Sequence, residues 1–166
     1  MGWIKLHVAV DHKSKQVLSF HVTDERVHDS EMLILLLRQL ADHVGPNKVE
    51  KALVDTGYDS KPNFNYMEKR GITPTIKPRK NALSTAGQPL SRKRLVRTIK
   101  RHGYTHWAEK AKYGYRWAVE GFFSTFKRTY GEILKATSPL GMLKELIMKI
   151  HFYNRLITYK GPNTSR

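Results

Sequence analysis

Residues 49–57 read Val-Glu-Lys-Ala-Leu-Val-Asp-Thr-Gly. The apolar residues of this run predict a short buried β-strand over 49–54, and Gly57 predicts a tight turn behind it. Asp55 then stands at the carboxyl end of a strand, where open α/β sheets place their ligand sites. An Asp in this position can also simply cap the next element, and the residues alone leave both readings open.

The pattern on either side of this strand predicts an α/β chain. Apolar side chains at positions 4, 6, 8 and 10 alternate along residues 3–11, which indicates a half-buried strand. A turn at 12–15 leads into a second strand over 16–22, so an antiparallel hairpin is expected. Asp29-Ser30 is expected to cap a helix that Gly45-Pro46 ends. The later predicted elements are a helix over 63–70, a strand over 72–76, a polar loop over 77–91, and helices over about 92–101, 113–130 and 140–159.

Composition limits the class of protein. The chain has 166 residues, 40% of them hydrophobic and 27% charged, which is typical of a globular domain. The absence of cysteine excludes disulfides, zinc–thiolate and iron–sulfur sites and a cysteine nucleophile. The longest apolar run, residues 32–37, is too short to span a bilayer, and the opening residues do not form a signal peptide. We expect a cytoplasmic protein with no membrane partner.

The charge of the chain is large and unevenly distributed. The formal net charge is +16, yet residues 1–60 hold 7 basic and 9 acidic side chains, whereas residues 61–166 hold 23 basic and 5 acidic ones. Repulsion on this scale favours a polyanionic partner, and nucleic acid is the leading candidate. An anionic membrane surface is second, but no basic helix with a strong apolar face of its own accompanies the charge.

Residues 113–127 carry a second candidate constellation. On one continuous helix, Tyr113, Arg116, Glu120 and Lys127 would share one face. The apolar residues between them are expected to pack inward: Trp117, Val119, Phe122, Phe123 and Phe126. A glutamate between cations is most often part of a surface ion-pair ladder. It can also be a metal ligand whose neighbouring cations hold phosphates.

Asp55 and Glu120 together suggest a divalent metal ion held by carboxylates. Mg²⁺ takes oxygen ligands and commonly binds through one or two carboxylates plus substrate phosphates. Such ions activate the attacking oxygen and stabilise the leaving oxygen in phosphodiester chemistry. With the basic composition, these residues favour metal-dependent cleavage or joining of DNA strands.

Several segments also carry a family resemblance, and over about residues 3–158 the chain resembles the C-terminal part of a DDE transposase of the insertion-sequence type. Tyr113, Arg116, Glu120 and Lys127 match the Tyr-x2-Arg-x3-Glu-x6-Lys signature of that family at every spacing. The other similar segments are Trp3-Ile-Lys-Leu-His-Val-Ala-Val-Asp11, Asp55-Thr-Gly-Tyr-Asp-Ser60, Ile76-Lys-Pro-Arg-Lys-Asn81 and Asn154-Arg-Leu156.

The resemblance implies an RNase H-like (ribonuclease H/retroviral integrase-type) catalytic core followed by C-terminal helices. It makes Asp55 the second catalytic acid and Glu120 the third, with Mg²⁺ or Mn²⁺ as the cofactor. Family members carry the first acid on a central strand between those at 3–10 and 49–54, upstream of this chain. We therefore expect one truncated catalytic domain over 1–160, with a basic insertion at about 77–105 and a disordered tail at 161–166. Asp11 is a stand-in candidate for the first acid, although it ends a different strand.

The resemblance also implies roles for basic residues and partners. Arg116 and Lys127 would position phosphates, and Tyr113 would orient the site. From the charge alone, the residues expected to contact DNA phosphates without base specificity are Lys77, Arg79, Lys80, Arg92, Lys93, Arg94, Arg97, Lys100 and Arg101, and Tyr113 is added as a further DNA contact. The expected partners are transposon ends, target DNA, and either a second copy or an upstream transposase fragment, in a prokaryotic, nucleoid-associated setting. A non-catalytic DNA-binding fragment or repressor, and a basic RNA-binding protein, remain as alternatives.

Overall fold

The computed structural model describes residues 4–160, and it begins with a β-hairpin. Strand β1 (Ile4–Val10) pairs antiparallel with β2 (Val17–Asp24), with Val8 opposite Phe20. The turn between them places Lys15 at a positive φ of 62°, and the Lys15 amide donates to the Asp11 carbonyl. The predicted hairpin is confirmed. Trp3, the predicted first residue of its opening strand, and the tail predicted at 161–166 lie outside the described residues.

Helix α1 (Asp29–Val44) follows the hairpin and ends at Gly45, which adopts a φ of 98°. The predicted end is confirmed because glycine reaches this conformation without steric cost. The predicted cap at Asp29-Ser30 is wrong. His28 holds the cap position without a side-chain hydrogen bond, while the Asp29 carboxylate faces Lys5 Nζ at 3.4 Å.

A parallel pair of strands forms the second sheet. Strands β3 (Lys51–Val54) and β4 (Thr73–Ile76) pair with Val54 opposite Ile76, and helix α2 (Lys61–Lys69) connects them. A 3-10 turn over Thr56–Tyr58 follows β3. The core beneath this sheet consists of Leu33, Leu37, Ala52, Phe64, Met67, Ile72 and Ile76. Because the strands are parallel, their carboxyl ends meet at one edge of the sheet.

Two helices and a 3-10 turn separate β4 from the next long helix. Helix α3 (Leu90–His102) was predicted, whereas the short α4 (Tyr104–Lys110) was not. The single helix predicted over 113–130 is wrong at its start, because Tyr113–Arg116 is a 3-10 turn and α5 covers Trp117–Tyr130. The turn follows Lys112, whose φ is 52°, and it lets the Tyr113 ring pack against Trp107 at 5.1 Å.

Helix α6 (Pro139–Lys160) covers the hairpin together with α5. Its buried residues between 139 and 159 are Leu146, Ile150 and Tyr153. Leu143 and Ile147 of the same helix are 40% and 45% exposed. The core between hairpin and helices is formed by Val17, Phe122, Phe126, Leu146, Ile150 and Tyr153.

The α/β class is thus confirmed, with helices packed on two small sheets. Within residues 4–160 the four strands form two separate two-stranded sheets, and no hydrogen-bonded ladder joins β1 to β3. No helix in the described part of the chain is both long enough and apolar enough to cross a membrane.

Candidate functional site

Asp55 lies at the carboxyl end of β3 and is exposed to solvent. Its Oδ1 accepts a hydrogen bond from the Thr56 amide at 2.7 Å and so caps the 3-10 turn that follows. Capping the turn and contributing to a ligand site are therefore compatible roles for Asp55. One carboxylate oxygen orders the turn, and the side chain still faces solvent at the edge of the sheet.

The hydroxyl of Tyr113 ties the turn before α5 to the same edge of the sheet. It donates a hydrogen bond to the Val54 carbonyl at 3.0 Å, directly before Asp55. Burial raises the pKa of Tyr113 to about 12, while Arg116 lowers it, the Asp55 charge raises it and the backbone amide of Lys77 lowers it. The Tyr113 hydroxyl thus joins the carboxyl end of β3 to the turn before α5.

Arg116 and Glu120 form an ion pair one turn apart, with 2.6 Å between Arg116 Nη2 and Glu120 Oε1. The guanidinium of Arg116 also lies 5.9 Å from the centre of the Tyr113 ring. The Glu120 side chain is 62% exposed, so the pair is open to solvent. Exposed pairs of this kind contribute only about 0.2–1 kcal/mol, so a bound phosphate or metal ion can replace either partner at little cost.

Lys127 is placed apart from this pair. Its Nζ lies 3.1 Å from Glu132 Oε1, and both side chains are more than half exposed. Tyr113 likewise leaves the face predicted for these four residues, because its ring is buried beside Trp107. Of the four, the structure brings Tyr113, Arg116 and Glu120 into one local cluster.

The hairpin turn lies beside the same cluster. His12 stacks on Tyr115 with ring centres 5.1 Å apart, and Lys15 Nζ lies 4.0 Å from the centre of the Trp117 ring. Trp117 is 52% exposed, so its predicted inward packing is wrong. The Asp11 carboxylate accepts a local hydrogen bond from the Ser14 amide. Burial acts to raise the pKa of Asp11, but hydrogen bonds from Ser14 lower it.

Most of the predicted DNA contacts are exposed cations. Helix α3 buries Leu95 and Val96 and exposes most of its basic residues to solvent. Exposed basic side chains in and before α3 are Lys77, Arg79, Lys80, Arg94, Arg97, Lys100 and Arg101, and Lys93 is half-buried. Arg92 differs from them, because its Nε lies 2.7 Å from Asp59 Oδ1 and its side chain is only 11% exposed. Sequence reasoning gave Asp59 no role, although it lies four residues after Asp55.

A cavity of about 230 Å³ lies beside β1. Its lining residues are Lys5, Leu6, His7, Val8, Asp29, Tyr58, Val119 and Phe123. His7 is buried, and its Nε2 lies 2.9 Å from Thr23 Oγ1. Burial lowers the pKa of His7, and the Asp29 charge opposes that effect. Four consecutive residues of β1 line the cavity, so it follows the edge of that strand which faces away from β2.

The described residues alone do not provide a complete set of ligands for a metal ion. Within residues 4–160, no three carboxylate or imidazole side chains lie close enough together to hold an ion. Asp55 and Glu120 are both exposed carboxylates, which is the oxygen chemistry that Mg²⁺ and Mn²⁺ prefer. These two residues fit such an ion in kind, as two ligands to be completed by further oxygens.

A family model described as "Transposase DDE domain" matches residues 1–155. No solved structure matches the chain.

Proposed function

Because the chain belongs to the transposase DDE domain family, we propose that it acts in metal-dependent cleavage and joining of DNA at the ends of an insertion sequence. The observation that carries this proposal is the hydroxyl of Tyr113. It links the strand end that presents Asp55 to the turn that carries Arg116, and α5, which carries Glu120, follows that turn directly. Asp55 from the end of β3 and Glu120 from α5 can then face the same phosphodiester.

Asp55 and Glu120 are the proposed metal ligands, with substrate phosphate and water oxygens completing the shell. The family generally uses divalent metal ions, and a bound Mg²⁺ or Mn²⁺ would polarise the scissile phosphate. Arg116 would orient a phosphate oxygen if Glu120 bound the ion, because the two side chains are already paired. Tyr113 holds the backbone of both elements, and Lys127 provides another cation farther along α5.

The exposed basic side chains of 77–101 are the proposed DNA contacts. They are exposed cations with a single acid, Glu109, among residues 69–119, so neutralisation by phosphates relieves their mutual repulsion. Binding through such contacts falls steeply with salt and does not depend on base sequence. The setting proposed is the prokaryotic nucleoid in the cytoplasm.

An RNase H-like core requires one further strand, and the space beside β1 supports its place. The two sheets are separate, β1 lies along a cavity, and Val119 and Phe123 of α5 also line that cavity. A strand inserted there would pair with β1 and β3 and could bring the first acid beside Asp55. A neighbouring transposase segment or a second copy is the proposed source of this strand.

A non-catalytic DNA-binding fragment, or a repressor of a complete transposase, is the second candidate. The observation that favours it is the lack of a three-acid cluster within residues 4–160. Such a protein would bind DNA through the same basic residues, and the charge of Glu120 would not matter to it.

Nicking of supercoiled plasmid in Mn²⁺ at low salt separates the two candidates. The chain is compared with Glu120→Gln and with Glu109→Gln, an exposed glutamate of α4 that gives a matched change of charge. Nicking by the chain and by Glu109→Gln, but not by Glu120→Gln, supports the catalytic proposal. Equal DNA binding by all three without nicking favours the DNA-binding fragment, and no salt-sensitive binding to DNA by any of them contradicts both.

A further inference from the structure

Asp59 and Arg92 form a buried ion pair outside the cluster around Tyr113. The two Asp59 oxygens accept from Arg92 Nε at 2.7 Å and from Arg92 Nη2 at 3.1 Å. The Asp59 side chain is 0% exposed and that of Arg92 is 11% exposed. Arg92 is therefore not free to meet a phosphate in the way its exposed neighbours are.

The same pair anchors the polar segment that leads into α3. The Arg79 amide donates to Asp59 Oδ2 at 3.0 Å, and Arg92 Nη1 donates to the Leu83 carbonyl at 3.1 Å. One residue further along, Ser84 Oγ accepts from Arg97 Nε at 3.1 Å. Residues 77–89 thus lack regular secondary structure but are held at several points, while Lys77 and Lys80 remain exposed.

On its other side Asp59 is joined rigidly to Asp55. The Tyr58 amide donates to the Asp55 carbonyl at 3.1 Å, and the Asp59 amide donates to the Thr56 carbonyl at 3.0 Å. These bonds close the 3-10 turn that the Asp55 carboxylate caps. The position of Asp55 and the position of the segment 77–89 are therefore set by one continuous set of hydrogen bonds.

Burying an arginine and an aspartate is costly unless the two side chains are well aligned and hydrogen-bonded. A residue that only contacts DNA needs no such burial. We infer that Asp59 and Arg92 are positioning residues that hold the phosphate-binding cations of 77–89 at a set place relative to Asp55. This inference rests on the proposed function, because it assumes that Lys77 and Lys80 meet DNA. It gives Arg92 a role different from direct phosphate contact.

The sign of a change in DNA affinity tests the inference. Asp59→Asn makes the chain more positive by one charge, so an effect of charge alone tightens binding. If the pair positions the segment, Asp59→Asn instead weakens binding roughly tenfold. It also makes the negative slope of log K against log salt shallower, by about 0.9 for each phosphate that the segment no longer neutralises. Asp42→Asn on α1, an exposed residue with the same change of charge, is the matched control and is expected not to weaken binding.

A distance measurement tests the positioning without DNA. Because the chain has no cysteine, Leu83→Cys and His43→Cys give two unique sites for nitroxide labels on exposed residues. A narrow distribution of label distances is expected with the pair intact, and a broad one with Asp59→Asn or Arg92→Lys, each checked for folding by its thermal transition. Arg92→Lys keeps the charge but loses the paired hydrogen bonds, so it serves if Asp59→Asn does not fold.

The two readouts separate the inference from the proposed function. Broadened distances support the positioning role even if the chain binds no DNA, in which case only the proposed function fails. Unchanged distances in both variants overturn the positioning role, even if DNA binding is confirmed. Tighter binding by Asp59→Asn, matching Asp42→Asn, also overturns it.

Discussion

The pairs Asp59–Arg92 and Glu120–Arg116 are alike in length and opposite in burial. Their shortest N–O distances are 2.7 Å and 2.6 Å. The first pair is 0% and 11% exposed, whereas Glu120 is 62% exposed. An unpaired charge is expensive in a low-dielectric interior and cheap in water. The buried pair therefore fixes the geometry of its region, whereas the side chains of the exposed pair stay free to exchange partners.

Removing the carboxylate of the buried pair should give the largest loss of stability. Asp59→Ala leaves Arg92 without its partner in the interior and leaves the Arg79 amide without its acceptor. The free energy of unfolding is expected to fall by about 3–5 kcal/mol. Urea unfolding measures it, with Asp42→Ala on the surface of α1 as control. A loss below about 1 kcal/mol would place this pair in the same class as the exposed one.

Removing the hydroxyl of Tyr113 should have an intermediate effect on stability, and this effect should depend on pH. Tyr113→Phe leaves the Val54 carbonyl without its donor and is expected to cost about 1 kcal/mol at neutral pH. Burial raises the pKa of Tyr113 to about 12, above the ordinary value of 10.0. Between these values the unfolded chain ionises before the folded one, so stability is full below pH 10 and falls as pH rises towards 12.

Urea unfolding on both sides of this range measures the effect. Tyr113→Phe should lose less stability on alkalinisation than the parent chain does. A remainder is expected from Tyr58, because burial raises its pKa to about 12 as well. Equal alkaline losses in the parent and in Tyr113→Phe would show that Tyr113 is not the group that titrates.

The parts of the fold that depend on local pattern could be predicted from the sequence. Alternation at 4, 6, 8 and 10 predicts the hairpin, and Gly45 predicts the end of α1, because each signal lies within a few residues of its effect. Helix α4 carries no such signal, since Trp107 is its only buried residue and packs against Tyr113. The 3-10 turn before α5 depends on the same tertiary contact.

The candidate site divides in the same way. The Arg116–Glu120 pair follows from its spacing, and the place of Asp55 follows from the strand before it. The burial of Arg92 depends on Asp59, 33 residues earlier, and the contact between Tyr113 and Val54 spans 59 residues. A basic residue inside a basic run gives no sign in the sequence that it is paired, so only the folded chain distinguishes Arg92 from Arg94.

The smallest effect is expected at the exposed pair. Glu120→Gln removes a partner of Arg116, but both groups are solvated, so the free energy of unfolding should change by no more than about 0.2–1 kcal/mol. Salt should reduce even this change, since it screens exposed charges far more than buried ones. Urea unfolding at low and high salt measures both. A salt-independent loss of about 2 kcal/mol or more would give Glu120 a structural role, and a loss of nicking in that variant would then no longer point to metal binding.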